Sequence, residues 1–379
     1  MADLEKMREN FPVTRTKTFL NHAAMSPVSK PVAGAMKKLI DEATCFDFSS
    51  EDWEDCGKPY FAQLINARTE EIARIENTSM GMNIAAHVIQ APRGAKIVTT
   101  DLEYPSVTYP FLRKSLGLNV HYVRNINGKI LLEDMEKAVD DKTVAIAVSH
   151  VEYANGFRHD LRAVSEIAHR HGAYLIVDAI QAAGAISVDV KRDGVDFLAS
   201  ACYKWLMGPS GAGYLYVRKE LIEKFEPPFV GWASVKPEVF ETTDFWDIWK
   251  PQYSENASRF EAGSPSIISF AGARAAIKLL LDVGIDNIEK RILELTDYLI
   301  NELQNAGFTL QTPEDRVCRG GIVNFKVENP QKMQEQLAEK GIMVTARASG
   351  IRVSPHFYNT KEEIDRLVEE AKKIEKQHR

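Results

Sequence analysis

Residues 173–217 read AYLIVDAIQAAGAISVDVKRDGVDFLASACYKWLMGPSGAGYLYV. The apolar run Ala173–Val177 has the length and β-branched content of a buried strand; it stops at a carboxylate, Asp178, with Gln181 one helical turn on. A second apolar run, Phe197–Ala201, leads to Tyr203 and Lys204. Gly208, Pro209, Gly211 and Gly213 then form a turn-rich segment before a third strand-like run, Tyr214–Val217. Such strands, alternating with helical segments, predict an α/β fold with a mainly parallel sheet. Ligands of these sheets bind outside the carboxyl ends of the strands. An acid closing one strand and a lysine just past the next therefore put opposite charges on that rim.

At 379 residues and 45% hydrophobic, the chain is long enough to bury a large core, and one large plus one smaller domain is the expected division. The net charge of −6, with acids and bases interspersed, leaves no electrostatic footprint for nucleic acid or an anionic membrane. The start, MADLEKMREN, lacks the apolar run of a secretory signal, and no uncharged apolar stretch reaches membrane-spanning length. Cys45, Cys56, Cys202 and Cys318 show no C-x-x-C spacing and are expected to be free thiols of a cytoplasmic protein. No metal-ligand set is assigned. No G-x-G-x-x-G follows a strand, which removes a nicotinamide dehydrogenase.

Working outward, Leu161–His171 is an amphipathic helix that closes a βαβ unit into the central stretch. Strands are expected at Thr143–His150, Asn119–Arg124 and Ala95–Thr100, with a helix over Leu132–Val139. Residues 31–75 read as helical through Val32, Met36, Leu39 and Ile40, with Trp53, Tyr60, Phe61 and Leu64 in the core or a subunit interface. Thr78 and Ser79 open the next helix, where hydroxyls and free N–H groups make either an anion site or an ordinary cap. Downstream, Phe229, Trp232, Phe240, Phe245, Trp246, Trp249 and Tyr253 line a pocket or pack a dimer interface. Helices follow over Ala271–Val283, Ile285–Ala306, Gln331–Lys340 and Thr360–Lys376, with strands at Ile322–Val327 and Ile351–Ser354.

Asp-x-x-Gln, Tyr-Lys-Trp, Gly-Pro and Gly-x-Gly occur in order with Phe19-Leu20-Asn21-His22 near the start, Arg259-Phe260-Glu261-Ala262-Gly263-Ser264-Pro265, and Gly350-Ile351-Arg352 before Tyr358-Asn359-Thr360. This set resembles the class V aminotransferases, pyridoxal 5′-phosphate (PLP) enzymes of fold type I that include cysteine desulfurases, kynureninases and isopenicillin N epimerase-like proteins. The resemblance implies a large domain, residues 19–270, with a seven-stranded mainly parallel sheet between helices, and a smaller α+β domain from 1–18 and 271–379. It implies that Lys204 holds the cofactor as a Schiff base and that Asp178 keeps the pyridine nitrogen protonated, so that the ring acts as an electron sink. Gln181 is then expected to bond the phenolic oxygen. Either Tyr153 or Asn155 reaches the same oxygen, and Tyr104 stacks on the ring. Thr78, Ser79 and Tyr203 contact the phosphate, with Ser200 a further candidate. Ser264 reaches the phosphate of a neighbouring subunit, which implies a homodimer with shared sites. Arg352 clamps the substrate carboxylate, and Arg347 is a candidate to assist it. Asn21 and His22 pass the substrate side, unless His22 only caps a turn.

The expected reaction is transamination of a small α-amino acid, with Lys204, once displaced, as general base. Alternatives are a Cβ–S or Cβ–Se lyase and an amino-acid epimerase; a non-enzymatic scaffold would not need both Lys204 and Asp178. Two features separate the chain from the desulfurases it resembles. No cysteine lies between Gly341 and Arg352, where those enzymes carry a nucleophilic thiol, and Tyr104 stands where relatives place histidine or another aromatic, so a mechanism that uses that imidazole does not carry over.

Overall fold

Alternation along the strands builds the centre of the molecule. In Thr143–Ser149, Ala145 and Ala147 enter one hydrophobic core while Ile146 and Val148 enter another; Phe197 and Ala199 likewise separate from Leu198. Both faces of the sheet are covered, which is why these strands read as continuous apolar runs. The computed structural model describes residues 4–47, 56–236 and 249–378. Trp53, Phe240, Phe245 and Trp246 lie outside them.

Strands are numbered along the chain: β1 Thr18–Phe19, β2 Ile72–Ile75, β3 Lys96–Thr100, β4 Asn119–Val123, β5 Thr143–Ser149, β6 Tyr174–Asp178, β7 Phe197–Ala201, β8 Gly213–Val217, β9 Val323–Lys326, β10 Ile342–Met343, β11 Thr345–Arg347 and β12 Gly350–Val353. The seven-stranded sheet has the order β2-β8-β7-β6-β5-β3-β4. Pairings from β4 through β7 are parallel, and β8 runs against both β7 and β2. The expected mainly parallel seven-stranded sheet is present.

One segment differs from the sequence reading. Residues 72–75 form an edge strand rather than the end of a helix. Ile72, Ala73 and Ile75 are buried, but on opposite faces: Ile72 joins one core, while Ala73 and Ile75 join the other. Pairing with β8 decides the conformation. The helices at Lys30–Cys45 and Lys58–Leu64 do form, and Phe61 stacks on Tyr214 with ring centroids 4.6 Å apart.

The C-terminal part packs helices Ile285–Asn305, Pro330–Glu339 and Lys361–His378 against an antiparallel sheet of order β11-β12-β9. Its own core contains Leu299, Phe325, Leu337, Ile351 and Leu367. The N-terminus joins it: β1 pairs in parallel with β10, and Arg8 bridges to Glu363 at 3.1 Å.

Candidate active site

The candidate residues gather because each follows a strand that ends on the same edge of the sheet. β2 ends at Ile75 and leads into the Thr78–Val88 helix; β3 ends at Thr100, just before Tyr104. β5 ends at Ser149, four residues before Tyr153; β6 ends on Asp178 itself, and β7 ends at Ala201, just before Lys204. The Thr78–Val88 helix lies so close to β7 that a Cβ on Gly81 would stand 2.6 Å from the Cβ of Ala199. Only glycine permits that approach, which brings the helix N-terminus to the Lys204 loop.

Lys204 is pinned from the N-terminal segment. Ser26 donates its backbone N–H to the Tyr203 carbonyl (2.8 Å) and its hydroxyl to the Lys204 carbonyl (2.5 Å). The ammonium stands 5.8 Å from the Tyr104 ring centroid and 5.9 Å from that of Tyr203. Burial pushes the Lys204 amine down to about 8; Asp178 opposes this, and Arg352 and Arg347 add to it. Burial likewise raises the Asp178 carboxyl to about 6, against the Ile180 N–H at 2.9 Å and the Lys204 charge. The two groups thus differ in proton affinity by far less than an ordinary lysine and aspartate do.

Gln181 stands beside them, braced by the protein. It donates Nε2 to the Ala23 carbonyl (3.1 Å), and its Oε1 accepts from Trp205 Nε1 (2.8 Å). One amide hydrogen remains for a ligand. Trp205 is fully buried, and its carbonyl lies against Gly184, where φ is +94° and a Cβ would meet that oxygen at 2.4 Å. The sequence reading counted Trp205 in the Tyr-Lys-Trp motif but gave it no role.

At the helix N-terminus Asn77 is the cap, its Oδ1 accepting from Met80 N–H at 2.9 Å. The buried Thr78 hydroxyl accepts from Ala201 N–H at 3.0 Å and keeps its own hydrogen to donate; Ser79 pairs with Ser106 at 2.7 Å. Ser200 donates back to the Ala201 carbonyl at 3.3 Å. Ser264 is exposed, in a cavity of about 350 Å³ shared with Arg74, Glu76 and Met80. Its segment is anchored by buried Glu261, which takes Arg74 Nε at 2.5 Å and Lys58 Nζ at 2.6 Å.

Arg352 is almost fully buried; its Nη1 donates to the Tyr153 carbonyl at 2.9 Å, and its Nε has no partner among the described residues. Burial lowers its guanidinium to about 10, and Arg347 contributes. The Tyr153 ring meets Tyr104 edge-on, with centroids 5.1 Å apart.

Two of the candidates spend their polar groups on the protein itself. Asn155 donates Nδ2 to the Gly128 carbonyl (2.7 Å) and accepts from Phe157 N–H (3.0 Å), so it holds a turn while Tyr153 takes the position by Arg352. His22 is fully buried: Nδ1–H donates to the Ser354 carbonyl (3.0 Å), and Nε2 accepts from the Tyr358 hydroxyl (2.8 Å). Both ring nitrogens are spent on packing the N-terminal segment onto the C-terminal part. Asn21 accepts from the Thr345 hydroxyl at 2.7 Å and keeps its amide hydrogens.

A further cluster was not foreseen. Glu103, Glu152 and His159 place a ligand-type atom each within 4.8 Å of one another. Ser149 gives Glu103 its N–H and its hydroxyl, both at 2.6 Å. Thr100 and His159 donate to Glu152 Oε1 at 3.0 and 3.1 Å, while Glu152 Oε2 is buried with no partner among the described residues. Burial raises Glu152 to about 8 and Glu103 well above the carboxylate range, and it pushes His159 down to about 4. A buried and a partly buried carboxyl this close are not both ionised near neutral pH and keep at least one proton between them. The pair thereby ties the Tyr104 loop to the Tyr153 loop. The folded state keeps a proton that an unfolded glutamate releases above its ordinary 4.5, so stability falls as pH rises from about 5 to about 8. Glu152→Gln removes that dependence. Relative to the variant, the wild type is expected to lose roughly a few kcal/mol between pH 5 and 9 in urea unfolding; parallel profiles would contradict the shared proton.

Acid, amine, aromatic rings, helix N-terminus and buried arginine on one sheet rim define a site for an anionic, amine-reactive ligand. The family model for aminotransferase class-V matches residues 55–367. The chain is 31% identical over 380 residues to YcbU, an uncharacterized aminotransferase of Bacillus subtilis, covering 98% of this chain and 99% of that one. It is 31% identical over 392 residues to a probable cysteine desulfurase of Pyrococcus abyssi, covering 95% of each. The apo structure of the cysteine desulfurase from Thermococcus onnurineus superposes with a TM-score of 0.89 at 29% identity, over 100% of this chain and 99% of that one. The chain belongs to the class V aminotransferases, a PLP-dependent family of fold type I. The residues present fit that cofactor: a buried carboxylate for a protonated ring nitrogen, an amine held near neutrality, and hydroxyls at a helix N-terminus for a phosphate. Among the described residues, no helix is long and apolar enough to cross a membrane.

Proposed function

We propose that this chain transaminates an α-amino acid, with Lys204 carrying the proton at the substrate Cα. The observation that supports this over a persulfide mechanism is the hairpin before Arg352. β11 and β12 are joined by Ala348 and Ser349, both at positive φ (48° and 60°), a two-residue turn with no cysteine and no long loop. The nearest cysteine in sequence to Lys204, Cys202, is fully buried, and burial raises its thiol far above the range in which a thiolate forms. Tyr104 also provides no imidazole. Transamination requires neither group.

When bound, PLP supplies an aldehyde for the substrate amine and an electron sink for the Cα bonding pair. Lys204 would anchor the aldehyde and, once released, hold and return the Cα proton. Asp178 would keep the ring nitrogen protonated and Tyr104 would cover the ring. Thr78, Ser79 and Tyr203 would receive the phosphate, and Arg352 the α-carboxylate through its planar fork. Ser264, exposed like Phe229, Trp232 and Trp249, would complete the site of a second copy in a homodimer. A lyase that releases a thiol or selenide directly is the second reading. It is supported by the relatives named as desulfurases, and it uses the same lysine.

Two outcomes are expected. Cofactor attachment needs the neutral amine, roughly a tenth of the molecules at pH 7 and nine-tenths at pH 9 for a group near 8. Attachment followed by absorbance should therefore rise about tenfold over that interval and level off; a steady climb beyond pH 10 would mean that burial does not hold Lys204 down. Arg352→Ala should raise KM for the amino acid about 10- to 100-fold with the cofactor retained, the size of a lost charge-assisted hydrogen bond. Unchanged kinetics would remove Arg352 from the site.

A further inference from the structure

Arg347 and Arg352 stand on one face of the β11–β12 hairpin. The register opposes Thr345 to Arg352 and Arg347 to Gly350. Opposed residues share a face, as do residues two apart on a strand, so Thr345, Arg347 and Arg352 point the same way. That face is turned to the site: Thr345 bonds Asn21 at 2.7 Å, and Arg352 bonds the Tyr153 carbonyl at 2.9 Å. Asn324 Nδ2 donates to the Arg347 carbonyl (3.1 Å) and to the Ala154 carbonyl (2.8 Å), which fixes the Arg347 backbone to the segment that carries Tyr153.

Charge on this face is unbalanced. Arg8, Arg74 and Arg158 are each held by a glutamate, whereas among the described residues neither Arg347 nor Arg352 makes a salt bridge. Among the described residues Arg352 Nε is buried without a partner, and both arginines act on Lys204 while Asp178 opposes them. The α-carboxylate of a substrate compensates one guanidinium. The second, exposed beside it, is left for another anion.

We infer that Arg347 is a subsite for a second acidic group, so that the substrate is a dicarboxylic amino acid and the amino acceptor its oxo acid. The inference rests on the transamination reading for its chemistry, but its binding test does not. Calorimetric titration of the cofactor-loaded enzyme with succinate and glutarate, against propionate and butyrate, reads the second carboxylate directly. The dicarboxylates are expected to bind about 10- to 100-fold more tightly than their monocarboxylate counterparts. Arg347→Gln should bring that ratio close to one, and Arg347→Lys should retain part of it. Equal affinities in the wild type, or a ratio that survives Arg347→Gln, would overturn the subsite. Cofactor absorbance with L-aspartate, L-glutamate and L-alanine separates the two claims. If none of these perturbs the spectrum, the transamination reading fails, while calorimetry still decides Arg347. If alanine reacts at concentrations as low as the acidic pair, the subsite fails and the reading stands.

Discussion

Lys204→Ala is expected to yield a folded protein that no longer traps PLP under borohydride and that has lost at least about 10³-fold in turnover, within the range ascribed to a positioned general base. The loss should fall on kcat, because the α-carboxylate contact at Arg352 is untouched. Folding should be little affected, since the backbone of this segment is held by the two Ser26 hydrogen bonds to Tyr203 and Lys204 and by the packing of Trp205, not by the amine. Removing a half-buried cation whose proton affinity burial has already lowered relieves a desolvation cost. Added methylamine should restore part of the activity, as a free base entering the vacated volume. A variant that still forms a reducible adduct at a single lysine would show that another amine carries the chemistry.

The second large effect belongs to Asp178. Its carboxyl is buried at the end of β6, held by the Ile180 N–H at 2.9 Å, and raised by burial to about 6. Asp178→Asn keeps the shape and discards the charge. It is expected to lower kcat about 10²- to 10⁴-fold, corresponding to the roughly 3–5 kcal/mol lost when one partner of a buried ion pair is removed. The pH dependence carries a definite sign. Below about 6 the wild-type carboxyl takes up a proton and can no longer support a cationic ring nitrogen, so cofactor affinity should fall on acidification. A bound cation pulls the carboxyl lower, so the midpoint in the loaded enzyme should lie below 6. The Asn variant should show a weak affinity with no acid limb. An acid limb that persists in Asp178→Asn would assign it to a different group.

Much of this arrangement was legible because it lies along strands. β7 matched the expected Phe197–Ala201, and a lysine three residues past a buried strand end has little choice but the sheet rim. β6 placed Asp178 beside it through the pairing of Asp178 with Ala199. What the sequence did not reveal depended on partners distant in the chain. Residues 72–75 suit a helix or a strand, and only the edge of β8 decides between them. His22 and Asn155 carry polar groups that local sequence leaves unassigned; their acceptors, Ser354 and Gly128, come from other segments. Glu152 reads as a loop residue until His159, Thr100 and Glu103 close around it and make it share a proton. Arg347 differs again: its residue type was noted, but its weight comes from the register of a hairpin whose first strand was not anticipated.

The most direct measurement mixes PLP-loaded enzyme with single L-amino acids in the absence of any oxo acid, following the cofactor spectrum and the products together. Transamination predicts stoichiometric loss of the aldehyde form of the cofactor, with one equivalent of the matching oxo acid and no further turnover until an acceptor is added. Catalytic pyruvate, ammonia and sulfide from cysteine, with the aldehyde form returning after each cycle, would contradict it and make the chain a lyase.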